Sequence, residues 1–300
     1  MTQHEVNILP IDLGYMGQKE AAGAFLVTQG ETRCLVESGP AACLERLMAG
    51  LESAGVSAHD LNGLILTHIH LDHAGASGYL TSDHCHAHVH PRGVRHLIDP
   101  ERLNASALRV FGAQLESELG VMKSNQSQRV KEVSDGTSVS IGSLTFKALE
   151  TPGHAKHHHA WILKDGEKSH VFCGDAAGMR IPGTDFPTIP MVPPEFDLEA
   201  WEQSLEAIQS TGAESLWLTH YGRATIESGF LDSVRIELNA EVDFLKDMIT
   251  KNGAHLPEEH RAWHQNRARA YGVSYETLAA YCQPGFYRAN YDGVSRWLSQ

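Results

Sequence analysis

A chain of 300 residues, 42% of them hydrophobic, can bury a sizeable core in one large domain or in one domain with an appendage. The formal net charge of −13, without any Lys/Arg run, argues against a nucleic-acid backbone or an anionic membrane as partner. In the polar start Met1-Thr2-Gln3-His4-Glu5 a secretory signal is not visible and no stretch approaches the ~18 apolar residues of a membrane span, while Cys34, Cys43, Cys85, Cys173 and Cys282 are scattered and form no CxxC pair, so a cytoplasmic protein with reduced thiols is expected.

In chain order, Ala24-Phe25-Leu26-Val27-Thr28 and Arg33-Cys34-Leu35-Val36 read as two strands of a hairpin around Gln29-Gly30-Glu31. Leu44, Leu47, Met48 and Leu51 recur at helical spacing between Cys43 and Ala54. Gly63 to Leu66 is a short buried strand, and Cys85 to Val89 another. Asn104 to Leu119 is predicted as a helix inserted between two strand-rich halves. Val139 to Ile141, Leu144 to Leu149, Ala160 to Leu163 and Val171 to Cys173 follow as strands. Gly178 to Pro194 has no period and is predicted as a long loop of the kind that often carries function. Asp197 is placed to cap a helix running to Ile208, and Ser215 to Leu218 is a last strand. Beyond Gly222 the pattern is helical: Ile226 to Lys251, Pro257 to Ala270 and Tyr275 to Tyr281. No GxGxxG opens a helix, so a doubly wound nucleotide fold is excluded in favour of a sandwich with helices outside and ligands on loops at one edge.

The segment Thr67-His68-Ile69-His70-Leu71-Asp72-His73-Ala74-Gly75 places three imidazoles and one carboxylate within six positions, directly after an apolar strand. Zinc and similar cations take imidazole nitrogen and carboxylate oxygen. Four such side chains exceed what one tetrahedral ion with an open position needs, so the spacing suggests two ions. The pattern of apolar strand followed by ligand recurs at Thr151-Pro152-Gly153-His154, at Gly174-Asp175 and at Thr219-His220-Tyr221-Gly222.

With these residues in their order, the chain resembles the metallo-β-lactamase superfamily over about residues 20 to 222. The resemblance implies an α/β fold, an αββα metallo-β-lactamase sandwich with extra C-terminal helices: a catalytic domain over 1–225 and a helical extension over 226–300 packed on it. Carried over by motif, His68, His70 and His154 bind a first ion, Asp72, His73 and His220 a second, and Asp175 bridges them. The implied enzyme is a binuclear hydrolase with two divalent metal ions, Zn or else Fe or Mn. A bridging hydroxide attacks the carbonyl of an ester, thioester, lactone or amide, and Asp72 passes a proton to the leaving group. His158, four residues after His154, is expected to orient ligands from behind, and His157 and His159 are read as surface residues.

Two departures from the family pattern are informative. Glu37-Ser38-Gly39 stands where an Asp-Thr-Gly-like turn is usual, with Glu37 taking over support of the metal loop. Homoserine-lactone lactonases of the family carry a tyrosine three residues after the bridging aspartate, and here that residue is Gly178; Tyr221, Tyr15 or a C-terminal tyrosine would have to be brought in by the fold. Glyoxalase II-like thioesterases share the ligand set, but no glutathione-binding pattern is visible in the tail. Phosphodiesterases of tRNase Z type want a basic surface, which −13 opposes. A non-catalytic metal module is opposed by the open coordination positions, because structural zinc sites are closed.

The expected partner is a small-molecule substrate. Met179, Phe186 and Tyr221 are predicted to line its pocket, and Met179, Phe186, Ile181, Ile189 and Met191 of the long loop are expected either there or packed against the C-terminal helices. The aromatic tail, from Trp263 to Trp297, is assigned to packing of the extra helices or a homodimer contact, with a lid as the alternative. His84, His86, His88 and His90 alternate along one strand face and read as a partly exposed face, since no carboxylate in the run shares it.

Overall fold

Side-chain alternation sorts the strands of the first half into two packed faces. In the computed structural model, which describes residues 5–112, 115–252 and 254–300, they form a six-stranded sheet in sequence order. Its strands are β1 (Asn7–Asp12), β2 (Gly23–Gln29), β3 (Thr32–Val36), β4 (Gly63–Ile65), β5 (His86–Val89) and β6 (Val130–Glu132). β1, β2 and β3 pair antiparallel, whereas β3 to β6 are parallel and need helical crossovers such as Leu44–Ser53. Along β2, Ala24 and Leu26 face the helices, while Phe25 and Val27 face the second sheet.

The second sheet contains β7 (Ser138–Ile141), β8 (Leu144–Glu150), β9 (His159–Asp165) and β10 (Lys168–Gly174). A two-stranded ribbon, β11 (Met179–Arg180) with β12 (Pro187–Thr188), follows; then β13 (Ser215–Leu218) and β14 (Gly222–Ala224) complete the sheet in the order β14-β13-β10-β9-β8-β7. Phe146, Trp161, Phe172 and Trp217 meet Phe25 and Ile65 between the sheets. Val171 and Cys173 face outward, onto the Leu198–Ser210 helix through Trp201, Leu205 and Ile208. Helices, two sheets and helices make the predicted αββα sandwich.

The C-terminal helices Phe230–Asn252, Pro257–Arg269, Tyr275–Tyr281 and Pro284–Leu298 add to the outer layer of the second sheet. Leu231, Val234, Leu238 and Val242 join the core of Leu205 and Leu216, and Tyr291 and Val294 of the last helix join it too. That last helix lies beyond the spans named from periodicity. The long loop expected at 178–194 is instead partly structured by the ribbon, and the helix expected over 104–119 is divided into Glu101–Phe111 and Leu115–Glu118, with 113 and 114 outside the described residues. Asp197 caps its helix as expected, its side chain accepting from Ala200 N at 3.0 Å. The five cysteines are buried and free. Among the described residues, no helix is long and apolar enough to cross a membrane.

Candidate metal centre

Four strand ends converge on one edge of the sandwich. β4 stops at Ile65 and releases Thr67, His68 and His70; the short helix Leu71–Ala74 then carries Asp72 and His73. The turn between β8 and β9 holds His154, β10 ends one residue before Asp175, and β13 ends two before His220. Two close approaches demand glycine. A Cβ on Gly153 would lie 2.4 Å from the Trp201 backbone, and one on Gly174 would lie 2.5 Å from Thr67 Oγ1 and 2.6 Å from His158 Nε2.

The ligand candidates fall into overlapping groups whose donor atoms lie within 4.8 Å of one another: His68, His70, His154; His68, His73, Asp175; and Asp72, His73, His220. His68 Nε2 and His154 Nε2 each stand 2.9 Å from His70 Nδ1. His220 Nε2 is 3.3 Å from His73 Nε2 and 3.4 Å from Asp72 Oδ2. Asp175 lies between the groups. Its Oδ2 is 3.3 Å from His154 Nε2 and its Oδ1 is 3.2 Å from His73 Nε2.

The hydrogen bonds on the far side of each ring show what this arrangement suits. His154 Nδ1 donates to Pro190 O at 2.8 Å, His220 Nδ1 to Ala21 O at 2.6 Å and His73 Nδ1 to Glu37 Oε1 at 2.9 Å. A neutral imidazole that donates through Nδ1 has a lone pair at Nε2. Lone pairs and two carboxylates therefore point at one another, and Asp175 Oδ1, although buried, has no hydrogen-bond donor. Such a convergence is unfavourable on its own and is relieved by cations, so the residues fit divalent metal binding.

The electrostatics divide the rings: burial keeps three of them neutral, whereas against burial the carboxylates draw His73 and His220 toward holding a proton that a bound cation would replace. Burial, reinforced by His154, pushes the His70 imidazole down to about 3, and burial also lowers His68 and His154, so these rings stay neutral. Burial works to lower His73 as well, yet Asp175, Glu37 and Asp72 outweigh it and hold His73 above its ordinary value. Burial works to raise Asp175, but His73 and His154 carry its carboxyl well below the usual range.

Glu37 is fully buried and satisfied. Thr67 N donates to Oε2 at 3.2 Å, while Thr67 Oγ1, His73 Nδ1 and Thr219 Oγ1 donate to Oε1. It adopts φ 63°, an uncommon conformation for a non-glycine residue. His158 takes the Asp175 N–H on Nε2 at 3.2 Å, and its Nδ1 meets Thr151 Oγ1 at 2.8 Å; it belongs to none of the ligand groups. Both side chains thus sit behind the ligand candidates, Glu37 against the His73 ring and His158 against the Asp175 backbone.

Other expectations are corrected. Phe186 is 0% exposed and packs with Ile181, Tyr287 and Ala268, its ring 5.1 Å from that of Tyr271 and 5.3 Å from that of His264. It is core between the ribbon and the C-terminal helices, the second of the two placements expected for it. Ile181, Ile189 and Met191 are buried likewise, whereas Met179 and Tyr221 remain half-buried. The Arg180 backbone N–H donates to His220 O, which seats Met179 and the ribbon beside the ligand group. His157 and His159, taken for surface residues, are buried. The His157 ring stands 5.3 Å from that of His70, and His159 stands 4.5 Å from His90. Three consecutive histidines offer no period from which their burial could be read. His86 and His88 are half-buried, His90 donates to Glu150 at 3.1 Å, and the run forms no ligand group among the described residues. Of the tyrosines weighed, Tyr15 is brought to the site, its ring 6.3 Å from that of His220.

An αββα sandwich with histidine and aspartate groups at the edge between its sheets defines a class of metal-binding proteins. Residues 21–220 match the family described as the metallo-beta-lactamase superfamily, and the chain belongs to that family. It is 29% identical over 209 residues to an atrochrysone carboxyl ACP thioesterase of Aspergillus fumigatus, covering 69% of this chain and 52% of that one. It is 28% identical over 152 residues to a hydroxyacylglutathione hydrolase of Cupriavidus metallidurans, covering 50% and 47%. The chain thus spans about half the length of these curated relatives. The crystal structure of a metallo-beta-lactamase family protein from Thermus thermophilus superposes with a TM-score of 0.70 at 19% identity over 98% of this chain and 93% of that one, a likeness of fold.

Proposed function

We propose that this protein is a metal-dependent hydrolase of acyl compounds. Two divalent cations, zinc or else iron or manganese, are assigned to His68, His70 and His154 on one side and to Asp72, His73 and His220 on the other. The observation that carries the reading is Asp175, whose two oxygens face different ligand groups and of which one lacks any hydrogen-bond donor. Bound there, divalent ions lower the pKa of water and polarise a carbonyl.

The chain's own residues divide the remaining work. His154, His73 and His220 are locked in one tautomer by Pro190 O, Glu37 and Ala21 O, so their Nε2 lone pairs are presented without reorganisation. The Asp72 side chain is 26% exposed against 5% for Asp175, which makes it the carboxylate that can take a proton from water and return it to a leaving group. Met179 and Tyr221, both half-buried, are assigned to contact with the acyl portion, and residues 226–300 to a helical extension of the catalytic unit.

An acyl thioester is the favoured substrate, supported by the names of both curated relatives. A homoserine lactone is disfavoured because the position three residues after Asp175 is Gly178, which offers no phenol to the substrate oxygen. Nucleic acid is opposed by the charge of −13. Metal analysis beside a panel of acyl thioesters, lactones and phosphodiesters tests the reading. Thioester cleavage that chelation abolishes is expected, and a preference for phosphodiesters would sink it.

A further inference from the structure

The metal-site edge is held from outside the segment that matches the family, by the last helix of the chain. Pro190 O accepts from His154 Nδ1 at 2.8 Å and also from Val192 N at 3.0 Å. Proline has no N–H of its own with which to fix that turn. The neighbours on either side are held instead by Asn290, which is fully buried in the Pro284–Leu298 helix. Its Nδ2 donates to Ile189 O at 2.8 Å, and its Oδ1 accepts from Met191 N at 3.0 Å. The second Nδ2 proton goes to Glu241 Oε1 at 2.7 Å, and the same oxygen accepts from His260 Nε2 at 2.9 Å. One turn along the helix, Gly293 lets the backbones touch: a Cβ there would lie 1.9 Å from Met191 O.

We infer that Asn290 is a positioning residue for His154, so that the C-terminal helices set the affinity of one metal position and not of the other. The two bonds of Asn290 bracket residue 190 and aim its carbonyl; that carbonyl holds the tautomer and orientation of the His154 ring. His220 depends on Ala21 O and His73 on Glu37, neither of which Asn290 touches. The inference rests on the preceding reading in taking His154 as a ligand and in taking two metal positions. Groups that orient a metal-binding histidine from behind typically carry about ten- to a hundredfold in metal affinity.

The test is zinc titration of the metal-free full chain against a competing chelating dye, with the binding steps assigned by the His154→Ala and His220→Ala variants. Asn290→Ala, which removes the bonds, and Gly293→Ala, which pushes the Met191 carbonyl, should each weaken the step missing in His154→Ala by about ten- to a hundredfold. Both should leave the step missing in His220→Ala unchanged. Tyr281→Phe is the control, since Tyr281 Oη donates to Lys19 O at 2.7 Å and so ties a C-terminal helix to a different loop. It should leave the His154 step alone. Equal weakening of both steps, no weakening, or the same effect from Tyr281→Phe overturns the inference, and either folded variant of the pair decides it. A wild type that takes up a single ion overturns the two-ion reading instead, and the Asn290 comparison is then read on that ion.

Discussion

Glu241 with His260 in the C-terminal helices, and Asp175 with His73 at the sheet edge, are both buried pairs of carboxylate and imidazole, 2.9 Å and 3.2 Å apart. They differ in what surrounds them. Glu241 Oε1 accepts from His260 and from Asn290, so the charge is met by donors, and His260 is enclosed by the rings of Phe244 and Tyr287. Asp175 Oδ1 makes no hydrogen bond, and His154 and His220 turn Nε2 inward because their Nδ1 atoms are engaged by Pro190 O and Ala21 O. The first arrangement is complete as protein; the second leaves converging donor atoms that fit a divalent cation. Hydrogen-bond accounting separates a structural histidine cluster from a ligand cluster where residue type alone does not.

The comparison breaks most readily at Asp175. Asp175→Ala should lower the zinc content of the purified protein below that of the wild type and abolish the thermal shift that saturating zinc gives. In the wild type that increment is about 2.7 kcal/mol at a hundredfold excess over Kd. An undiminished zinc shift in Asp175→Ala would remove the bridging role. By contrast, Glu241→Ala should cost about 3–5 kcal/mol in urea unfolding, the usual result of leaving one partner of a buried pair alone, with no metal bound at that position in either form.

Asp72→Asn should reduce turnover by about a hundredfold or more while the urea midpoint hardly moves, since the side chain is partly exposed and its loss is chemical. Activity within about tenfold of wild type, roughly 1.4 kcal/mol of barrier, would clear Asp72 of the proton-transfer role. Phe186→Ala sharpens the distinction between core and pocket. It should cost about 3–5 kcal/mol of stability and leave the ranking of acyl substrates unchanged, whereas Met179→Ala should change the ranking with little effect on stability. The reverse pattern would restore Phe186 to the pocket.

The smallest effect is in acid. Burial works to raise the Glu241 carboxyl, but the His260 and Asn290 hydrogen bonds outweigh it and hold it below its ordinary value. A depressed carboxyl contributes stability that is fully present above the unfolded value, about 4.3, and is lost as pH falls through the folded one. Wild type should therefore lose more stability than Glu241→Gln between about pH 4.3 and lower values in urea titrations.

Much of the site was legible in the chain because its chemistry is local. His68, His70, Asp72 and His73 fall within six positions after an apolar strand, and His154, Asp175 and His220 each follow another, so side-chain type and strand ends were enough to pick them out. The β2–β3 hairpin and the Asp197 cap were legible for the same reason: alternation and capping depend on neighbours in sequence. Tertiary packing decided the rest. Glu37, singled out only through the family resemblance, meets His73 across 36 residues, and Asn290 meets Met191 across 99, separations at which no periodic signal survives. Phe186 and the histidines at 157 and 159 carry the same letters whether exposed or enclosed, and only the helices and strands laid over them determined that they are buried. The sequence by itself determined which donors exist and that they end strands at one edge; the fold decided which of them are satisfied by protein, because satisfaction depends on long-range partners that local pattern does not encode.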